Sequence, residues 1–392
     1  MKLKFRLIAQ ILFAVLILTM TIPLLAGCES NKQVVNVFNW GEYISDASGE
    51  INVLKEFEAA TGIKVNYTTY ATNEELYSKL KSSGANYDII IPSDYMIGRL
   101  IDEDMIEKLN FDNIPNYANI MEEYKNLEFD PTNEYSVPYT WGTVVLIYNT
   151  KFVTKPVESW DILWDEDYKD KIIMFHNSRD AFCIALKKLG YSANTTDVGE
   201  LEKAAAELER QKDILQGYYM DEIFNKMGSE EAYLAPYYAG DALTMMSDNP
   251  NLAAAYPKEG TNIFVDSMCI PKGAKNKEAA EKFINFMCEA EIAAANSEYI
   301  GYSTPNKAAY ELLSDEIKSN PITYPDEEVL AKAEVFINLP EDINKKIDSL
   351  WTEIRSSSSG NIFLFPIVIA GLVVLCVIII IVSHRKKKSV KY

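Results

Sequence analysis

VVNVFNWGEYISDASGEINVLKEFEAATGIKVNYTTYATNEELYSKLKSSGANYDIII, residues 34–91, decides the fold class. Val34 to Phe38 is apolar-rich and predicts a strand, with Asn39-Trp40-Gly41 as the turn after it. From Gly49 to Thr61, Ile51, Leu54, Phe57 and Ala60 recur on one helical face, and Gly62 is placed to stop that helix. Ile63, Val65 and Tyr67 alternate as a strand, and Asn73-Glu74-Glu75-Leu76 opens a second helix that Gly84 should end. Tyr87 to Ile91 is a short apolar run suited to a strand buried on both faces. Strand, helix, strand, helix, strand requires a parallel sheet in an α/β unit. Ligands of such sheets sit outside the carboxyl ends of the strands. Trp40, Gly41 and Tyr43 after the first strand, and Ser93 and Tyr95 after the third, are therefore candidate binding positions.

A second α/β stretch follows, with Val144 to Tyr148 and Ile172 to Phe175 as strands and residues 180–189 and 200–212 as helices. The chain is long enough for two lobes of ordinary domain size, and a cleft between them would be lined by loops from both. No internal repeat is visible.

Two basic ends flank an acidic middle. The 38 Lys and Arg against 57 Asp and Glu give a formal charge of −19. Lys2, Lys4 and Arg6 precede residue 28, and Arg385, Lys386, Lys387, Lys388 and Lys391 follow residue 361, with no acid in either end. Removing these eight leaves 30 positive and 57 negative charges on residues 28–361, a middle of −27. A phosphate backbone is held by clustered Lys and Arg, so nucleic-acid binding is disfavoured. A cationic ligand suits the field better, although surplus acid also keeps a secreted domain soluble.

Residues 1–27 have a basic head, an apolar stretch from Leu7 to Leu25 and small residues before Cys28, which describes a secretory signal. Leu25-Ala26-Gly27-Cys28 further resembles the bacterial lipoprotein box, in which Cys28 becomes the lipidated N-terminus. From Ile362 to Val382 run 21 residues without a charge. At about 1.5 Å per residue they span a hydrocarbon core of about 30 Å as a transmembrane helix. The basic tail 383–392 places itself in the cytoplasm and residues 28–361 on the outer face of the bacterial cytoplasmic membrane. Residues 356–361 form a Ser/Gly/Asn linker. Lipid and helix together would tether the domain twice. Cys183, Cys269 and Cys288 remain, an odd number that indicates no disulfide framework and fits small buried apolar residues.

Much chemistry lacks its parts. His176 is the single histidine before the tail and has no partner at ligand spacing, so a zinc site and a His-based triad are both unsupported. There is no Gly-x-x-x-x-Gly-Lys-Ser/Thr and no Gly-x-Gly-x-x-Gly, and no cofactor is implied. Asp102-Glu103-Asp104 and Asp165-Glu166-Asp167 do not fit a calcium loop and read as solvated surface. What is present is rings beside acids at loop-like places: Trp40-Gly41-Glu42-Tyr43, Tyr237-Tyr238-Ala239-Gly240-Asp241 and Phe264-Val265-Asp266. An alkyl-ammonium ligand needs ring faces for its methylenes and cation, and carboxylates for its N–H donors.

Six stretches carry a resemblance: Phe38-Asn39-Trp40-Gly41-Glu42-Tyr43, Ile91-Pro92-Ser93-Asp94-Tyr95, residues 135–142 (YSVPYTWG), residues 185–192 (ALKKLGYS), residues 256–260 (YPKEG) and residues 300–306 (IGYSTPN). In this order, over about residues 33–350, the chain resembles the periplasmic spermidine/putrescine-binding proteins of polyamine ABC transporters. The resemblance implies a two-lobe, hinged α/β binding fold with an interlobe cleft and no enzyme activity. The lobes would be 33–139 with 266–307, and 140–265 with 308–355. It implies that Trp40 and Tyr43 stack on the amine, Ser93 and Tyr95 line the first-lobe wall, and Asp180 takes one ammonium. Tyr238, Phe264 and Tyr302 complete the aromatic box, Asp266 supplies a carboxylate, and Asp241 matches an acid of putrescine-preferring relatives. Ser93 also reads as a strand-end turn and Asp180 as a helix-start charge. Asn177 stands where spermidine-type relatives have an acid, and Phe336 where they have Gln, which favours putrescine. Permease subunits with their cytoplasmic ATPase are the implied partners. A polyamine-sensing receptor subunit on the same fold is one alternative, and a surface hydrolase with paired carboxylates another.

Overall fold

The computed structural model describes residues 33–46, 51–82 and 86–356. The signal and lipid box with Cys28, the linker beyond Ser356, the apolar run 362–382 and the basic tail lie outside the described residues. Among the described residues no helix is long and apolar enough to cross a membrane.

The first lobe starts as the alternation of residues 34–91 requires. Strand β1 (Val34–Trp40) runs parallel to β2 (Lys64–Tyr70) in a register from Val34 opposite Lys64 to Trp40 opposite Tyr70. Between them α1 (Val53–Thr61) is capped by the Asn52 side chain, which accepts from the Lys55 amide, and is stopped by Gly62 at φ 72°. Helix α2 (Asn73–Lys81) begins at the Thr72 hydroxyl cap and ends at Ser82, two residues before Gly84, because Ser82 already turns extended. The run at 87–91 pairs only as β3 (Ile89–Ile90), parallel to β1, with Ile89, Ile90 and Ile91 fully buried. Helix α3 (Asp94–Asp102) and the short β4 (Ile106–Glu107) follow.

The chain then crosses to the second lobe on β5 (Ser136–Asn149), a strand of 14 residues where sequence predicts five. Pro138 and Gly142 weaken its local signal, and tertiary pairing overrides that weakness. The second lobe comprises β6 (Ile172–Phe175), α4 (Ser178–Lys188), α5 (Val198–Gln211), β7 (Leu215–Tyr219), α6 (Glu222–Gly228), β8 (Leu234–Tyr238), α7 (Ala239–Asp248) and β9 (Leu252–Ala255). A second crossing strand, β10 (Asn262–Pro271), returns to the first lobe, where α8 (Lys277–Met287) and α9 (Ala290–Ile300) pack. Short β11 (Glu334–Val335) pairs with β10, and α10 (Glu341–Ser356) lies on the second lobe.

The strand order is β2-β1-β3-β10-β5-β8-β6-β7, so antiparallel β5 and β10 join two parallel halves. Each half has its own core. Val35, Val37, Phe57 and Phe283 belong to the first, and Val145, Phe175, Leu208 and Trp351 to the second. Each such large side chain contributes about 1.5–3 kcal/mol when fully buried. Both crossing strands are shared, which makes them the hinge. Cys183, Cys269 and Cys288 are free and buried.

Candidate ligand-binding cleft

The carboxyl ends of β1, β3, β6, β7 and β8 converge on a cleft lined by both lobes and by the hinge strand β10. All ten ligand-site positions read from the sequence line it: Trp40, Tyr43, Ser93, Tyr95, Asp180, Tyr238, Asp241, Phe264, Asp266 and Tyr302. Phe264 and Asp266 are not in a loop, as their turn-like surroundings suggested, but inside β10, opposite Gly142 and Thr140 of β5. An aspartate in a central strand runs against strand propensity. A register shift between Asp266 and Ser267 loosens the ladder at that point. Asp180 and Asp241 sit in the first turns of α4 and α7, where the helix dipole favours negative charge.

The rings form a continuous wall. Tyr43 meets Tyr302 edge-on at 4.8 Å, Phe264 meets Tyr238 at 5.5 Å, and Tyr95 meets Phe336 at 5.9 Å. The close approach of the lobes over this wall needs glycine at position 240, where a Cβ would lie 2.3 Å from the Tyr302 ring.

The charges in the cleft are one-sided. Asp180, Asp241 and Asp266 are 5 %, 8 % and 3 % exposed, and among the described residues no lysine or arginine lines the cleft. Burial pushes Asp180 up to about 7 although the Tyr238 hydroxyl donates to its Oδ2 at 2.9 Å. Burial likewise pushes Asp266 up to about 6 against the Tyr43 hydroxyl, which donates to Oδ2 at 2.7 Å and lies 2.5 Å from the Thr140 hydroxyl. The other oxygen of Asp266, Oδ1, is buried without a hydrogen-bond partner. Burial and then the like charge of Asp221 hold Asp241 well above the carboxylate range. Asp221 is itself raised by burial and by Glu42 across the mouth. A buried guanidinium, Arg179, stands behind the ring wall, 5.1 Å from the Tyr95 ring and 4.7 Å from Phe336. Such a cavity offers a cation ring faces and several unneutralised carboxylates.

The profile of the bacterial extracellular solute-binding proteins matches residues 52–325, most of the chain. The chain belongs to that family. A spermidine/putrescine-binding periplasmic protein of Salmonella typhimurium is 38 % identical over 312 residues, covering 79 % of this chain and 88 % of its own. Among solved structures, the spermidine/putrescine ABC transporter substrate-binding protein PotD of Streptococcus pneumoniae is 37 % identical, with a TM-score of 0.69 over 82 % of this chain and 98 % of that one. The Tp0655 (TpPotD) lipoprotein of Treponema pallidum is 26 % identical, with a TM-score of 0.73 over 82 % and 99 %.

As a solute-binding protein of the ABC-importer type, the molecule is not an enzyme, which removes the hydrolase alternative. Several residues of its cleft escape a reading of the sequence. Asp221 follows the carboxyl end of β7, a strand that the sequence pattern did not reveal, and its place at a strand end is the signal that would have found it. Glu42 and Tyr237 stand inside quoted motifs but beside more prominent neighbours. Asn73, Met220 and Asn262 carry no sequence signal of their own. Cys28 lies outside the described residues.

Proposed function

We propose that this solute-binding protein captures a polyamine, putrescine in preference to spermidine, and delivers it to an ABC permease with its cytoplasmic ATPase. The observation that carries the reading is the set of three buried carboxylates facing ring-lined space that, among the described residues, no basic side chain lines, one of them with an unpartnered oxygen. The polyamine-binding Salmonella relative supports it. Trp40 and Tyr43 stack on the amine, Ser93 and Tyr95 wall it in, and Tyr238, Phe264 and Tyr302 complete the box. Asp266 and Asp180 receive ammonium N–H groups, and Asp241 supplies a third carboxylate at the mouth. Asn177 spends its carbonyl on capping the Arg179 amide, and Phe336 turns a ring into the cleft, so neither gives a third ammonium an anion.

The lobes, residues 33–139 with 266–307 and 140–265 with 308–355, close about the β5 and β10 hinge when amine is bound. Charge-assisted hydrogen bonds contribute about 1.5–3 kcal/mol each and a desolvated cation–π contact about 2 kcal/mol. Less the association and closure costs, three or four of these give roughly micromolar affinity, about −8 kcal/mol. The domain works on the outer face of the cytoplasmic membrane, held by a lipid on Cys28 and by a transmembrane helix at 362–382. The Treponema lipoprotein relative supports the lipid. Titration calorimetry of the purified chain with putrescine, spermidine and a neutral amino acid tests the ligand. Putrescine should bind tightest and the amino acid not at all, and equal weak heats for all three would refute the proposal.

A further inference from the structure

We infer that Arg179 is a positioning residue for the ligand: it reaches from the second lobe onto Tyr95 and Glu74 of the first, and so latches the closed cleft around Asp180. For what Asp180 holds, this rests on the ligand reading above. Arg179 and Asp180 are consecutive in the first turn of α4, and they line different spaces. Asp180 lines the cleft, where it accepts from the Tyr238 hydroxyl at 2.9 Å. Arg179 lines a smaller chamber at the seam of the lobes, with Glu74 and Tyr95 on the first-lobe side and Asn344 and Ile347 on the second. Tyr95 lines both spaces.

The guanidinium is braced on its own side and offered to the other. Its Nη2 donates to Asn194 Oδ1 at 3.2 Å, and Asn194 is fixed in turn, donating to the Val335 carbonyl at 2.7 Å and accepting from the Ile337 amide at 3.1 Å. Its Cζ stands 5.1 Å from the Tyr95 ring, whose hydroxyl donates to Glu74 Oε1 at 3.0 Å. Nη1 is buried without a hydrogen-bond partner. A guanidinium that gives up water needs rings and opposite charge to offset the loss. Burial acts against the charge of Arg179, and Tyr95, Asp94 and Glu74, all of the first lobe, favour it together with Cys183. With the lobes apart the same group keeps its water, so the first-lobe groups stabilise it in the closed form. Cys183 and Ala193 of the second lobe share one apolar cluster with Tyr95, Met96 and Leu100 of α3, so opening of this seam uncovers the buried Cys183 thiol. Latch and grip are one residue apart, and seating Arg179 on the first lobe fixes the turn of α4 that aims Asp180.

The test measures alkylation rates of Cys183 and Cys288 by peptide mass spectrometry in the full chain, unaltered and with Arg179→Gln, Arg179→Lys, Glu74→Gln or Arg179→Gln with Glu74→Gln. Cys288 is buried in the first-lobe core and reports general unfolding. Without amine, Arg179→Gln should speed Cys183 about tenfold and leave Cys288 unchanged, and Arg179→Lys, which keeps the cation, should restore most of the difference. Glu74→Gln, which changes the opposite lobe, should also speed Cys183, and the double variant should be no faster than Arg179→Gln alone. Unchanged Cys183 rates, a parallel rise of both thiols in both single variants, or additive effects of the two substitutions would each overturn the latch. With saturating putrescine the unaltered chain should protect Cys183, and putrescine should leave Arg179→Gln at least about tenfold faster, followed by tryptophan fluorescence with Trp40 in the cleft. If the unaltered chain does not respond to putrescine, the polyamine reading fails, while the amine-free thiol rates still decide the latch.

Discussion

Asp180 and Asp266 have rings and hydroxyls around them in place of water, and at Asp180 the like charge of Glu74 is partly offset by the buried Arg179. Both carboxyls are therefore lifted, to about 7 and about 6, above the 3.9 of an unfolded chain. A group that binds protons more tightly when folded stabilises the fold below its unfolded pKa and loses that contribution as pH rises through its folded pKa. The ligand-free protein should thus lose stability between about pH 4 and 7, read as a falling thermal midpoint. Amine binding needs the ionised forms, so affinity for putrescine should climb as pH rises through both values, about a hundredfold from about pH 5.5 to 8 if both carboxylates must be ionised. Asp180→Asn should erase the upper part of that climb and leave the step near 6. A pH-independent affinity in the unaltered protein would contradict the assignment of these carboxylates.

At the scale of elements, the start of α7 and the end of α9 are one place where the lobes touch. Gly240 lies in the first turn of α7 in the second lobe, and the Tyr302 ring of the first lobe rests on it. Gly240→Ala suits a helix by about 0.5–1 kcal/mol but overpacks the closed interface by about 1–3 kcal/mol. The expected result is an unchanged or lower thermal midpoint with about tenfold weaker putrescine binding. Equal affinity would show that closure does not bring these elements together. The same scale explains what the sequence disclosed. Elements with strong local patterns, such as α1 with its Asn52 cap and Gly62 stop, or β6, were legible to within a few residues. The hinge was not. Strand β10 carries Asp266 and β5 carries Pro138 and Gly142, residues that local rules exclude from strands and that pairing between distant segments holds there. Trp40, Tyr43, Ser93 and Tyr95 were legible as cleft-lining positions because they follow strand ends, whereas Asp180, Tyr238, Asp241, Phe264, Asp266 and Tyr302 came with the family resemblance, and Asp221 depends on a strand no local pattern announced.

For the whole molecule, the −27 of residues 28–361 and the basic ends have separate roles. On the proposed function the ends would set topology, and the acid-rich domain would raise the local concentration of cations before any contact is made. Within that field the cleft concentrates the effect, because burial takes its carboxylates out of solvent and, among the described residues, no lysine or arginine lines it. Filling it with a dication replaces like-charge repulsion between the lobes by attraction to a shared ligand, and the hinge strands let them close on it. The claim on which this rests is that Asp266, with its unpartnered Oδ1, grips an ammonium. Titration calorimetry of putrescine on the Asp266→Asn chain tests it most directly. The account predicts at least about tenfold weaker binding with no loss of thermal stability, since a neutral amide is easier to bury than a carboxylate; undiminished affinity would contradict it.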